Sequence, residues 1–145
     1  MVRVDFWEAA NRHWQDAELL RESPMGWRLG GSDQLYGLAV ECALKAILVW
    51  CGADRSADGD LQPRSPERTH LPPLWDAYQA FLNGKQEARY SLPAERAFDD
   101  WDVRQRYLGH ASGPAHEVVE AHQLAARRIM HRAQEAWLDH AGGML

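Results

Sequence analysis

The chain has 145 residues, of which 46% are hydrophobic and 26% charged, with a net charge of −5. That is the size and composition of one globular domain able to bury a core without disulfide or metal staples. The acidic balance argues against a protein that coats duplex DNA or an anionic membrane, and no apolar run approaches the ~20 residues of a membrane span.

The N-terminus runs directly into an amphipathic pattern, without an apolar core segment or a cleavage site. No signal peptide is read, and the expected location is cytoplasmic. Cys42 and Cys51 lie nine positions apart in one predicted helix. That spacing puts them on opposite faces, so they read as two small buried hydrophobes.

Helical periodicity runs through the chain, and no alternating strand pattern interrupts it. The first helix is predicted over 5–23, with Asp5 as N-cap and Glu8 as its capping-box partner. Trp7, Ala10, Trp14 and Ala17 form its apolar stripe. Ser32 is the expected N-cap of a second helix ending near Cys51. That helix is apolar around most of its girth, with Gln34, Glu41 and Lys45 as a narrow polar ribbon. Such a helix sits at the centre of a bundle or at an interface, and on that ground a homodimer is expected.

Residues 53–69 are polar and rich in Asp, Arg, Pro and Ser, and read as a mobile loop. A third helix starts at His70-Leu71-Pro72-Pro73 and ends at Asn83-Gly84. Pro93 opens an expected fourth helix over 93–108, with Ala97, Phe98, Trp101 and Leu108 on one face. Ser112 and Pro114 open the last helix, which reaches about His140. The expected architecture is therefore all-α: one domain over 1–145, with an antiparallel bundle of about five helices over 5–140.

Seven histidines raise the question of a metal, but no HExxH or HxxxH spacing occurs. His116 and Glu120 form an i,i+4 pair on the polar side of the last helix, so no metal site and no cofactor are expected. His13 and His122 fall inside the apolar stripes of their helices, the place of a core or interface histidine bonded through its ring nitrogens. Glu41 and Lys45 read as a surface ion pair or, if half-buried, as a structural or substrate-facing pair.

The densest polar cluster spans Asp99 to His110. Arg104 flanks the apolar face of the fourth helix, whereas Arg106 points almost oppositely. An arginine held near a loop histidine can grip a phosphate while the imidazole moves a proton. The plainer alternative is an Asp100–Arg104 ion pair with His110 as an ordinary loop residue.

Three segments carry a resemblance to a known family. They are Ala39-Val-Glu41-Cys-Ala-Leu44-Lys45-Ala-Ile47-Leu48, His70-Leu71-Pro-Pro-Leu74, and Trp101 followed by Arg106-Tyr107 before a long last helix. They are similar to the Glu-x-x-Leu-Lys helix, the His-x-Leu-x-x-Leu start of the third helix and the late Arg-Tyr of the HEPN family. These are small helical domains of higher eukaryotes and prokaryotes linked to nucleotides. With the order and lengths of the helices, the likeness spans about residues 5–140.

The resemblance implies one of two functions. In the ribonuclease branch, of toxin–antitoxin or defence type, an arginine and a histidine four to six residues apart cleave RNA without metal, usually across a homodimer. Arg104 and His110 have five residues between them. On that branch His110 would transfer the proton of the ribose 2′-OH, and Arg104 would stabilise the phosphorane charge. Arg106, Tyr107, Glu41 and Lys45 would contact substrate. Gln105 departs from the small polar residue that commonly follows the arginine. The other branch carries Arg-Tyr without catalysis and resembles a nucleotide-binding or protein-docking module, such as a partner of a nucleotidyltransferase. The partners implied are a second copy of the chain, RNA or nucleotide, and a cognate antitoxin or nucleotidyltransferase, with no membrane. An adaptor outside the family, docking through its apolar second helix, is a further alternative.

Overall fold

A computed structural model describes residues 3–24, 28–109 and 113–141. Four α-helices run through them: α1 (Phe6–Arg21), α2 (Arg28–Trp50), α3 (Pro73–Gly84) and α4 (His116–Ala141). A 3₁₀ turn, Val103–Tyr107, lies between α3 and α4. The described residues form no strand beyond an isolated bridge between Arg55 and Leu61. None of their helices is long and apolar enough to cross a membrane.

Asp5 caps α1 as its sequence suggests, its side chain accepting the Glu8 N–H at 3.0 Å. α2 begins at Arg28 rather than at Ser32. Ser32 is instead a fully buried residue within α2, and its hydroxyl donates to the Ala17 carbonyl at 2.9 Å. That bond gives the hydroxyl a partner inside the protein and fastens α2 to α1.

α2 packs against α1, α3, α4 and the 3₁₀ turn. Tyr36, Ala39, Val40, Ala43, Leu44, Ile47 and Leu48, which share one half of its circumference, have no exposed surface. Leu35, Leu38, Cys42 and Val49, on the other side, are half-buried against the same core, so the apolar girth behind the expectation of a homodimer is covered on one side and partly exposed on the other. Cys42 and Cys51 are half-buried on this helix and just beyond it. Burial, ahead of nearby carboxylates, pushes the Cys42 thiol up to about 11 and raises that of Cys51. Both remain protonated at neutral pH.

The 53–69 segment is a loop, anchored by Leu61, which is fully buried. Its Asp58 carbonyl accepts the Val4 N–H at 2.8 Å. Further on, the Tyr78 hydroxyl donates to the Tyr90 carbonyl, and the Tyr90 hydroxyl to Asp139 of α4 at 2.6 Å.

The α-helix expected over 93–108 does not form. The chain passes through turns to Trp101, and Asp102 then caps the 3₁₀ turn, with Gln105 completing a capping box. Trp101 explains the difference. Its indole lies against Gly37 of α2, where an added Cβ would fall 1.9 Å from the ring, and its N–H donates to the Asp33 carbonyl at 3.0 Å. Phe98 and Trp101 are buried while Leu108 is exposed, so the single helical face predicted for them is divided. A tertiary fit has overridden local periodicity, helped by Asp residues that compete with the helix for backbone hydrogen bonds.

Candidate functional site

The segment from Phe98 to Leu108 holds most of the residues singled out in the sequence, and a buried ionic cluster fixes its position. His122 on α4 is 1% exposed. Its Nδ1 lies 2.5 Å from Oδ1 of Asp33 on α2, and its Nε2 lies 2.6 Å from Oδ1 of Asp100. The other Asp33 oxygen accepts the side-chain amide of Gln105 at 2.7 Å. Phe98 stacks on the imidazole, with ring centroids 4.9 Å apart and planes 14° apart. Gln34 donates to the Val103 carbonyl at 3.2 Å. Two helices thus grip both ends of the segment through charge-assisted hydrogen bonds.

Each ring nitrogen of His122 faces a carboxylate, so each donates and the ring is an imidazolium. Burial alone would discharge it. The hydrogen bond and charge of Asp33, followed by those of Asp100, outweigh burial and raise the pKa above its ordinary value. A ring that donates from both nitrogens has no lone pair to accept a proton. His122 is therefore a positioning residue here. Its place in the apolar stripe and its use of both ring nitrogens agree with the sequence reading. Its partners, 89 and 22 residues distant, have no local signal in the sequence.

Arg104 is not held against the protein. Its side chain is 82% exposed and forks onto Asp102, with Nε 3.1 Å from one oxygen and Nη2 3.0 Å from the other. The carboxylate partner is Asp102 in place of the expected Asp100. The hydrogen bonds of this pair lower the Asp102 pKa and raise that of Arg104. His110 and Ser112 lie outside the described residues. Arg106 lies within the 3₁₀ turn, and Tyr107 at its end is 73% exposed, followed by exposed Leu108.

Glu41 and Lys45 do not form the expected surface pair. Glu41 is buried and accepts the Leu71 N–H at 2.8 Å and the His70 Nδ1 at 3.0 Å. It ties the chain just before α3 to the middle of α2. Lys45 turns the other way, its ammonium 5.9 Å above the Phe6 ring. His13 is half-buried, and burial, followed by the charge of Arg12, lowers its pKa. His116 and Glu120 are exposed and 4.0 Å apart. Among the described residues no cluster of three His, Cys, Asp or Glu side chains is arranged to hold a metal ion.

No family model matches the chain, and no match was found among curated proteins or solved structures.

Proposed function

We propose that this chain is a HEPN-like helical module that docks on another protein rather than cutting RNA. The observation that carries the proposal is the state of Arg104, a surface guanidinium forked onto Asp102 beside exposed Tyr107 and Leu108. A stiff element that presents arginine and tyrosine carries two of the residue types enriched in docking hot spots. The Asp33–His122–Asp100 cluster supplies the stiffness from beneath, which limits the ordering cost of association. The HEPN-like bundle fits the order of two long helices, a short third helix, a short helical turn and a long last helix. On this proposal the module acts in the cytoplasm, and its partner is a nucleotidyltransferase or a cognate antitoxin. Exposed Leu19 on α1 and Leu124 and Leu138 on α4 support a homodimer through those helices.

The second reading is a metal-independent ribonuclease using Arg104 and His110. What favours it is the same exposure. A solvent-exposed ion pair adds little stability, so an RNA phosphate can displace Asp102 from Arg104. One assay separates the two. Single-stranded RNA is incubated with the purified chain in EDTA, and binding to the candidate transferase is titrated in parallel. Docking predicts intact RNA and an affinity that Tyr107→Ala lowers. Cleavage to 2′,3′-cyclic ends that His110→Ala slows by about 10²-fold overturns docking in favour of the ribonuclease.

A further inference from the structure

A second cleft lies away from the 98–108 segment, where the chain preceding α1 meets the C-terminal half of α2 and the loop after it. Its volume is about 410 Å³, within the range of small-molecule sites. Phe6, Trp7 and Trp50 form an aromatic wall, and Arg3, Arg55 and Asp5 stand around it. The Trp7 and Trp50 rings meet edge to face with centroids 5.8 Å apart.

The two arginine-bearing segments are seamed together. Val4 donates to the Asp58 carbonyl, and Gly59 has φ +93°. A Cβ on Gly59 would lie 2.8 Å from the Val4 carbonyl oxygen, so the seam requires glycine twice over, for its conformation and for the close approach. The cleft is thereby a feature of the fold rather than a gap beside a loose end.

Its charge runs against that of the whole chain. Arg3 and Arg55 are exposed, and among the described residues neither has an ion-pair partner. Against them stands Asp5, whose Oδ1 already accepts the Glu8 N–H. In a chain of net charge −5, an aromatic wall flanked by unpaired guanidinium groups selects a ligand with a flat apolar ring and an anionic head. A guanidinium forks onto a carboxylate through two parallel hydrogen bonds, and tryptophan offers a face or an edge to the ring.

We propose that this cleft binds a small aromatic carboxylate. The proposal is independent of the docking reading, because no residue of the 98–108 segment lines the cleft. Calorimetry on the full chain tests it with three probes: indole-3-acetate, its neutral amide, and adenosine monophosphate. Indole-3-acetate is expected to bind at least ten-fold more tightly than the amide, since a hydrogen bond to a charged group is about twice as strong as a neutral one and the Coulomb attraction adds to it. Arg3→Gln and Arg55→Gln should each weaken the acetate several-fold, leave the amide unchanged and leave Tm unchanged. Equal affinity for acid and amide overturns the proposal, as does no heat from the acetate at millimolar concentration. Binding of adenosine monophosphate without the acetate also overturns it and reassigns the cleft to nucleotides.

Discussion

The Nδ1 atom of His122 lies 2.5 Å from Oδ1 of Asp33, and the two residues are 89 positions apart in the chain. This contact joins the two helices that frame the core, and Asp100 closes it from the loop side at 2.6 Å. It is an ionic cluster whose central charge is 1% exposed. Burying a charge is costly unless it is paired and hydrogen-bonded, and here both ring nitrogens are.

Stability should therefore depend on pH through His122. Its pKa in the folded chain is raised above the value near ~6.5 expected in the unfolded chain. The folded state holds the proton more tightly, so the contribution is fully present below about pH 6.5 and is lost as pH rises through the folded value. The urea midpoint should fall as pH is raised above about 6.5. A His122→Gln variant, less stable overall, should show a flatter profile. An identical slope in the variant would assign the pH dependence to other groups.

The two carboxylates of the cluster should differ in weight. Asp33→Ala leaves the imidazolium buried beside a void and strands Gln105, and removing one partner of a buried pair costs about 3–5 kcal/mol. The Asp100 side chain is 61% exposed, so water replaces much of what Asp100→Ala removes. Urea unfolding at pH 6 compares them. Equal losses would show that the exposed arm is held as tightly as the buried one.

The helical class, the Asp5 cap and the central position of α2 could be read from periodicity and capping chemistry, which act within a few residues. The 98–108 segment could not. Its apolar spacing is that of a helix, but Trp101 is committed to a slot over Gly37, and that fit depends on a residue 64 positions earlier. For the same reason Arg104 was expected against protein and stands in solvent. His122 could be placed in the interior from its stripe, but nothing near it in the chain names Asp33 or Asp100. Glu41 was legible as an exception on an apolar helix. Its partners at residues 70 and 71 were not, because they arrive by way of a long loop.

Gly37→Ala should reverse the usual rule for a helix interior, where Ala is worth about 0.5–1 kcal/mol over Gly. The new methyl would sit 1.9 Å from Trp101 Cε2, and the contact is with a buried ring that has no room to swing aside. Overpacking of this kind costs about 1–3 kcal/mol or more. Displacing the indole also breaks its hydrogen bond to Asp33. Chemical denaturation would reveal the loss, and a red shift in tryptophan emission would report the ring's exposure. A Gly37→Ala chain as stable as the parent contradicts the packing described above.

Glu41 gives the last prediction, because its role decides whether α2 faces a substrate. Glu41 is 4% exposed and its carboxylate accepts the Leu71 N–H and the His70 ring, so its chemistry is spent within the fold. Glu41→Ala strands the buried Leu71 N–H, and an unsatisfied buried donor costs about 1–3 kcal/mol. Glu41→Gln keeps an oxygen for that N–H, loses only the charge opposite His70, and should recover a good part of the stability. Lys45→Ala removes the contact with the Phe6 ring and leaves the start of α3 untouched, so the two members of the expected pair should behave independently. Amide hydrogen exchange at Leu71 reads the local effect: protection should be lost in Glu41→Ala, largely kept in Glu41→Gln and unchanged in Lys45→Ala. A parallel loss in Glu41→Ala and Lys45→Ala would restore the ion pair that the sequence alone suggests.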